Sequence, residues 1–246
     1  MLAIPVFSMT SKKSNKTEKN IENSARFSVA PMMDWTDRHC RYFHRQFTTK
    51  SLLYTEMVAA AALVRGRAYH LLDYSMEEHP LALQLGGSDP IQLAEAASIG
   101  ESHGYGEINL NVGCPSDRVQ SGSFGAVLMK NPKLVAACCE AMRQSTSIEI
   151  TVKCRIGVDG QESEQILPEF LSHVSNSGVS RIIIHARKAI LKGLSPKENR
   201  DIPPLDYEIV FKMKEKFPNL HIALNGGVTS LRSAKDLLAK GVDGVM

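Results

Sequence analysis

Short apolar runs rich in β-branched residues alternate along the chain with longer amphipathic stretches that have helical spacing. Strict alternation of strand and helix predicts a parallel sheet with helical crossovers. The predicted strands cover 26–33, 51–57, 81–87, 106–112, 148–157, 180–187, 221–227 and 242–246. The predicted helices cover 36–47, a stretch near 59–72, 89–104, 131–145, a stretch near 163–177, 205–217 and 229–241.

Seven complete strand–helix units and an eighth strand favour a (β/α)8 TIM barrel over an open doubly wound sheet. The open sheet usually carries a G-x-G-x-x-G turn after its first strand, and the turn at 30–37 contains no glycine. We expect Thr36 to cap the first helix. Asp89 should cap a later helix, with Pro90 in its first position.

The sequence stops on the eighth predicted strand, which predicts a barrel truncated after that strand. Without a following helix, Val242, Val245 or Met246 should leave apolar surface exposed. The loop that commonly completes a phosphate site after strand eight would also be missing. We therefore expect the chain on its own to be marginally stable and to bind a phosphate-bearing cofactor weakly.

The chain has 246 residues, of which 43% are hydrophobic and 22% charged, as in ordinary soluble globular proteins. Residues 11–25 are polar, so segment 1–25 is predicted to be disordered and 26–246 to form one barrel domain. The formal net charge of +3 neither requires nor excludes a polyanionic partner.

The cysteines include no C-x-x-C pair, which disfavours a disulfide framework, a zinc ribbon and an iron–sulfur cluster. A reducing compartment fits this usage, and we expect a cytoplasmic monomer without a metal or a membrane span. Import into an organelle is the alternative. The five cysteines are Cys40, Cys114, Cys138, Cys139 and Cys154.

Polar residues stand where the predicted strands end, which in a barrel is the catalytic face. Burial of a polar group without a partner costs about 1–3 kcal/mol, so such a ring suggests a bound polar ligand or a self-satisfied network. The residues are Asp34, Glu56, Gln84, Asn109, Asn111, Lys153, Arg155, His185, Arg187 and Asn225. Cys114 follows Asn109 and Asn111 on the loop of "NLNVGCPSDRVQSGSFG", where glycines suit an exposed thiol that takes part in chemistry.

Several motifs together resemble the flavin-dependent tRNA-dihydrouridine synthases, and most closely their A-type subfamily. They are "VAPMMDWTD", "LQLGG", "NLNVGCPSDRVQSGSFGAVLM", "VKCRIG", "IIIHARKAILKGLSPKENRDIPPLDYE" and "ALNGGV". The resemblance runs from about Arg26 to Met246. Two departures stand out: Ser123 occupies a position where many relatives have arginine, and the family's Gly-Arg pair and helical tRNA-binding domain after strand eight are missing.

The resemblance implies an FMN-binding barrel that reduces uridine to 5,6-dihydrouridine at D-loop positions 20 and 20a of tRNA, with NADPH as reductant. Cys114 would be the catalytic acid. The implied FMN-binding residues are Pro31, Met32, Met33, Gln84, Lys153, His185, Asn225, Gly226 and Gly227. Asn111 beside the target base, with Lys197 and Arg200, would bind tRNA.

The loop at 187–204 is unusually long for a strand-to-helix connection, and its cations favour RNA contact. They are Arg187, Lys188, Lys192, Lys197 and Arg200. Two alternatives stay open: an FMN-dependent barrel reductase of a small molecule, and a truncated non-catalytic RNA-binding protein. Cys154 should face away from Lys153 and Arg155, because neighbours along a strand alternate between faces.

Overall fold

The computed structural model describes residues 24–246, which form an α/β fold around one parallel sheet. Its strands are hydrogen-bonded in chain order, and each begins and ends within a few residues of a predicted strand. They are β1 Leu53–Ala59, β2 Leu81–Gly86, β3 Glu107–Val112, β4 Glu149–Arg155, β5 Arg181–His185, β6 His221–Asn225 and β7 Gly244–Val245.

The helices follow the predicted alternation, with differences in the shorter elements. They are α1 Arg38–Phe47, α2 Ala60–Val64, α3 Pro90–Ser102, α4 Asp117–Ser121, α5 Pro132–Ser145, α6 Ser163–Asn176, α7 Glu198–Asp201, α8 Tyr207–Lys216 and α9 Leu231–Ala239. The predicted helix near 59–72 is α2 followed by a 3-10 turn, Tyr69–Leu72, because Arg67 between them has a φ of 48°. The helices α4 and α7 lie where the sequence predicts loops.

One of the two predicted helix caps is wrong. Asp89 accepts a hydrogen bond from the Ile91 backbone N–H at 2.9 Å, as expected of the cap of α3. Thr36 does not cap α1, because its hydroxyl bonds the backbone of Met32 instead. Asp37 takes that place, and its side chain accepts from the backbone N–H of Cys40 at 2.8 Å.

The first predicted strand, 26–33, is not a strand. Only Phe27 and Ser28 form isolated bridges, to Val245 of β7 and to Leu52 just before β1. Pairing stops there because Pro31 cannot donate to a ladder and the chain turns at Asp34, whose φ is 63°. Within residues 24–246 the structure therefore has seven strands, where the sequence predicts eight.

Segment 26–29 bonds both edges of the sheet, since Ser28 N–H donates to Val245 and Val29 N–H donates to Leu52, each at 3.0 Å. The sheet must therefore curve until its first and last strands flank this segment. Contacts between strands that are not neighbours identify its inner face, such as that from Lys153 on β4 to Asn225 on β6. Cys154 packs in the large apolar core instead, which confirms the predicted alternation.

The expectation that Val242, Val245 or Met246 exposes apolar surface is wrong, because all three are buried. Val242 and Val245 pack in the core between the sheet and the helices. Met246 belongs to a second apolar cluster, which it forms with Ala25, Leu52, Tyr54, Ala82, Ile183 and Ala223.

The predicted disordered segment 1–25 lies outside the described residues except for Ser24 and Ala25, which are buried. Within 24–246, none of the helices is both long and apolar enough to cross a membrane. All five cysteines are free thiols.

A buried ion pair lies at the start of the strands on the inner face. Arg181 Nη2 is 2.6 Å from Glu107 Oε2, and both side chains are almost fully buried. Glu107 also accepts hydrogen bonds from Tyr54 at 3.0 Å and from Thr151 at 2.5 Å. These contacts satisfy a charge that burial otherwise penalises strongly.

We predict that Arg181→Met lowers the free energy of unfolding by about 3–5 kcal/mol, because it leaves the Glu107 carboxylate buried without its counter-charge. Urea unfolding would measure the loss. Lys212→Met is the matched control: Lys212 pairs with Glu164 at 2.7 Å on the surface, and exposed pairs contribute less than about 1 kcal/mol. Equal losses in the two variants would contradict the prediction.

Candidate active site

Asn111, near the end of β3, holds the loop that carries Cys114. Its Oδ1 accepts from the backbone N–H groups of Gly113 at 3.0 Å and Cys114 at 2.9 Å. Its Nδ2 donates to Gln84 Oε1 at 2.9 Å. The Asn111 side chain therefore serves the architecture of this loop, while the resemblance implies that it lies beside the target base.

The Cys114 thiol is partly buried, with its sulfur 3.5 Å from the Ser116 hydroxyl. The end of the loop folds back onto Cys114, and the Ala126 N–H donates to the Cys114 carbonyl at 2.8 Å. Gly125 permits this approach: it has a φ of 74°, and a Cβ there would lie 2.6 Å from the Cys114 carbonyl oxygen. A glycine is thus required where the loop closes on the thiol.

Lys153 and Asn225 meet on the inner face, although they come from β4 and β6. Lys153 Nζ donates to Asn225 Oδ1 at 2.8 Å, and Asn225 Nδ2 donates to the Met246 carbonyl at 2.9 Å. Burial, with a smaller effect of the Arg155 charge, lowers the pKa of Lys153 to about 8. The ammonium group is therefore mostly charged at pH 7 and loses its proton just above that pH.

His185 ends β5 beside these residues and is buried. Burial and the nearby positive charge of Lys153 lower its pKa to about 2, so the imidazole is neutral. Its ring packs against Gly226, whose φ is 112°, and a Cβ on Gly226 would lie 2.6 Å from His185 Cδ2. A side chain at 226 would therefore displace the ring.

Segment 31–33 reaches the same end of the sheet. Asp34 N–H donates to Glu56 Oε1 of β1 at 2.5 Å, and β1 pairs with β2 through Met57 and Gln84. Pro31 and Met32 are partly buried, whereas Met33 is 49% exposed. The structure thus places segment 31–33 beside β1 and leaves Met33 largely facing outward.

Arg155, one of the polar residues predicted at the strand ends, has a structural role that was not predicted. Its Nε donates to the Gly113 carbonyl at 2.9 Å, in the loop that carries Cys114. Its Nη1 donates to the carbonyls of Lys188 at 3.1 Å and Asn199 at 3.0 Å. Burial lowers its pKa to about 10, which leaves the guanidinium charged at neutral pH. Its position two residues after Lys153, on the same strand face, was the signal that could have identified it.

The basic loop, residues 187–204, is organised by Asn199, which is fully buried. Asn199 Oδ1 accepts from the Ile190 N–H at 2.8 Å, and its Nδ2 donates to the Ile190 carbonyl at 2.9 Å. Arg187 donates to the carbonyls of Asp201 and Pro203 within the loop. Lys197 is exposed and Arg200 partly buried, so these cations differ in their access to solvent.

Residues 28–246 match the family model for dihydrouridine synthase. The chain belongs to the dihydrouridine synthase family. This finding confirms the resemblance drawn from the sequence motifs, and it covers nearly all of the described residues.

Named relatives in the dihydrouridine synthase family support the predicted subfamily. The tRNA-dihydrouridine(20/20a) synthase of Escherichia coli K12 is 58% identical over 238 residues, which cover 96% of this chain and 68% of the relative. The Salmonella typhi enzyme of that name is 57% identical over 232 residues, 94% of this chain and 69% of the relative. The Yersinia pestis enzyme is 60% identical over 222 residues, 90% of this chain and 64% of the relative.

A solved structure with a similar fold comes from outside the dihydrouridine synthase family. It is the crystal structure of 2,3-dimethylmalate lyase, a member of the PEP mutase/isocitrate lyase superfamily. The match has a TM-score of 0.58 and covers 94% of this chain and 79% of that chain. At 15% identity it shows a shared fold alone.

We predict that the stability of the apo protein, relative to a Lys153→Met variant, rises by about 2 kcal/mol between pH 7 and pH 10. The folded-state pKa of Lys153 is lowered to about 8 from 10.5. In this pH range the unfolded chain keeps a proton that the folded chain releases, so stability increases with pH. Denaturant unfolding of both proteins across this range is the measurement.

The exposed residue Lys216 supplies the control, since Lys216→Met should show no such trend. A difference between wild type and Lys153→Met that stays flat from pH 7 to pH 10 would show that Lys153 titrates normally.

Proposed function

We propose that this protein reduces uridine to 5,6-dihydrouridine at positions 20 and 20a of the tRNA D-loop, with bound FMN and with NADPH as reductant. Membership of the dihydrouridine synthase family supports a flavin-dependent oxidoreductase that modifies tRNA. The 20/20a position is supported by the names of relatives about 58% identical to the chain.

The observation that carries the proposal is a cluster of cations without carboxylate partners beside the Cys114 loop. Lys153, Arg155, Arg187 and Arg200 form no ion pair within residues 24–246, although other charged residues do. Burial is the main cause that lowers the pKa of His185, and the positive charges of all four add to it. Arg155 pairs directly with His185 across β4 and β5. These residues lie at the carboxyl ends of the strands, which we call the mouth. Uncompensated positive charge there suits anionic ligands such as a flavin phosphate and an RNA backbone.

The residues at the mouth fit a flavin nucleotide. Gly226 and Gly227 follow β6 with φ values of 112° and 68°, and backbone in such positive-φ conformations can present its N–H groups to a phosphate. Lys153 would place its charge beside an anionic reduced flavin. Neutral His185, with Gln84 and Asn225, would supply polar contacts, while Pro31, Met32 and Met33 would supply apolar surface.

When bound, FMN reduced by NADPH would supply a hydride to C6 of the uracil ring. The addition leaves negative charge conjugated with the C4 carbonyl, and C5 must then gain a proton. Cys114 would donate that proton from its thiol, acting as the general acid. Asn111 would keep the thiol in reach of C5 because it holds the Cys114 backbone.

The basic loop would hold the RNA. A uridine inside folded tRNA must be turned out of its stack to reach the mouth, which requires the neighbouring backbone to be held. Exposed Lys197 and partly buried Arg200 would neutralise phosphates there. Arg187 would contribute its charge rather than direct contacts, because its guanidinium donates to carbonyls of the loop itself.

For the fold we propose a (β/α)8 TIM barrel, with segment 26–29 in the position of the first strand. Its hydrogen bonds to both β7 and β1 support this assignment. We also propose a cytoplasmic location, because five free thiols suit a reducing compartment.

We predict that Cys114→Ala retains FMN but slows reduction of tRNA by about 10²–10⁴-fold, the usual effect of losing a general acid. Single-turnover oxidation of the pre-reduced protein by unmodified tRNA is the measurement. Cys40→Ala is the control, because Cys40 is the other partly buried thiol and lies on α1.

The same assay separates the alternatives. A wild-type rate in Cys114→Ala would remove the thiol from the chemistry. Flavin binding with turnover of small enones but none of tRNA would support the small-molecule reductase. A protein that binds tRNA but no flavin would support the non-catalytic alternative.

We predict that Lys197→Ala combined with Arg200→Ala weakens tRNA binding and reduces its log–log salt slope by about 1–2, as expected when one or two phosphate contacts are lost. Reduction of the flavin by NADPH should be unchanged. Lys216→Ala combined with Lys235→Ala removes two exposed cations from α8 and α9 and should leave the slope intact. An unaltered slope in the Lys197/Arg200 variant would show that the loop does not contact phosphate.

A further inference from the structure

We propose that Gln120 is a positioning residue that fixes the Cys114 loop by fastening it to the basic loop, so that tRNA held on 187–204 sets the position of the thiol. The inference rests on the proposed function for its substrate. Its structural part concerns two loops of this chain and can be tested without that substrate.

Gln120 lies on α4 and joins two segments that are remote in sequence. Its Nε2 donates to the Pro115 carbonyl at 2.8 Å, one residue from the thiol. The same nitrogen donates to the Leu191 carbonyl at 2.8 Å, in the basic loop. Both partners are acceptors, so the amide must present its NH₂ group to them, and its orientation is fixed.

Arg155 forms a second hydrogen-bonded connection between the Cys114 loop and the basic loop. Arg155 donates to the Gly113 carbonyl on one side and to the carbonyls of Lys188 and Asn199 on the other. The thiol is thus bracketed by Gly113 and Pro115, each bonded to a side chain that also holds the basic loop. Hydrogen bonds to the residues on both sides of Cys114 restrict its rotation as well as its translation.

Cys114 itself has few other restraints. Its backbone is held by Asn111 and by Ala126, and its sulfur contacts Ser116 at 3.5 Å. A proton donor must be placed within hydrogen-bond reach of the carbon that it protonates, and small errors in placement reduce the rate strongly. A shift of the basic loop would pass to the thiol through Gln120 because one nitrogen bonds both loops.

The test uses Gln120→Met, which keeps the side-chain length without a donor, and Gln120→Glu, which faces both carbonyls with a carboxylate. Gln144→Met is the matched control, because Gln144 Nε2 bonds Glu140 on its own helix at 3.4 Å. All are made with Cys40→Ser, which leaves Cys114 as the one cysteine that is not buried. Melting temperatures confirm that each variant is folded.

The first measurement is the rate at which iodoacetamide alkylates Cys114 in the apo protein without tRNA, followed by mass spectrometry. We expect the rate to rise by up to about tenfold in both Gln120 variants, the effect of losing hydrogen bonds of ordinary strength. Gln144→Met should match the parent. An unchanged alkylation rate in both Gln120 variants overturns the structural part of the inference.

The second measurement is single-turnover oxidation of the pre-reduced protein by saturating unmodified tRNA, with tRNA affinity measured in parallel. We expect a rate loss of about tenfold with unchanged affinity, because the phosphate contacts remain while the donor is misplaced. If the parent is active and the Gln120 variants keep its rate, the positioning role is wrong. If the parent forms no dihydrouridine, the proposed function fails, and alkylation alone decides whether the loops are fastened.

Discussion

The inner face of the sheet depends on one buried carboxylate, that of Glu107. Burial raises its pKa, and the guanidinium of Arg181, 2.6 Å away, opposes that effect. An ionised carboxylate can only accept hydrogen bonds, so Thr151 must donate its hydroxyl proton to Glu107. The Thr151 oxygen is then left to accept from Asn109 Nδ2, at 2.9 Å. The Glu107 charge at the start of β3 therefore sets which side chain donates and which accepts in the hydrogen bonds further along the strands.

The same order of donors and acceptors continues to the Cys114 loop. Asn109 Oδ1 accepts from Gln84 Nε2 at 2.8 Å, and Gln84 Oε1 accepts from Asn111 Nδ2 at 2.9 Å. Asn111 Oδ1 is thereby left to accept from the Cys114 N–H. Reversing any amide would oppose two donors or two acceptors at a buried position, which costs about 1–3 kcal/mol per unsatisfied group. The buried charge thus specifies the side-chain orientation that anchors the loop carrying Cys114.

The sequence alone predicts the strands well because inward and outward residues differ in chemistry, as Lys153 and its neighbour Cys154 show. The convergence of strand-end polar groups could also be predicted, since parallel strands end on one side of a sheet. Whether segment 26–33 forms a strand could not be predicted, because this depends on how closely the two edges of the sheet approach the segment. The helices α4 and α7 are too short for a periodic pattern. The hydrogen bond from Arg155 to the Asn199 carbonyl could not be predicted either, because the two residues are 44 positions apart.

The two ends of the strands carry charge in different ways. At the start of the strands, Glu107 and Arg181 are paired and buried, so that neither charge is left uncompensated. At the other end, Lys153 and Arg155 have no carboxylate partner within residues 24–246, and their mutual repulsion adds to the burial that lowers the pKa of Lys153. Such an arrangement is less stable without an anion than with one, so an anionic ligand that binds the folded chain would stabilise it. The paired charges and the unpaired ones thus lie at opposite ends of the same sheet, so an anion bound beside Cys114 would act on the loops there and leave the buried ion pair undisturbed.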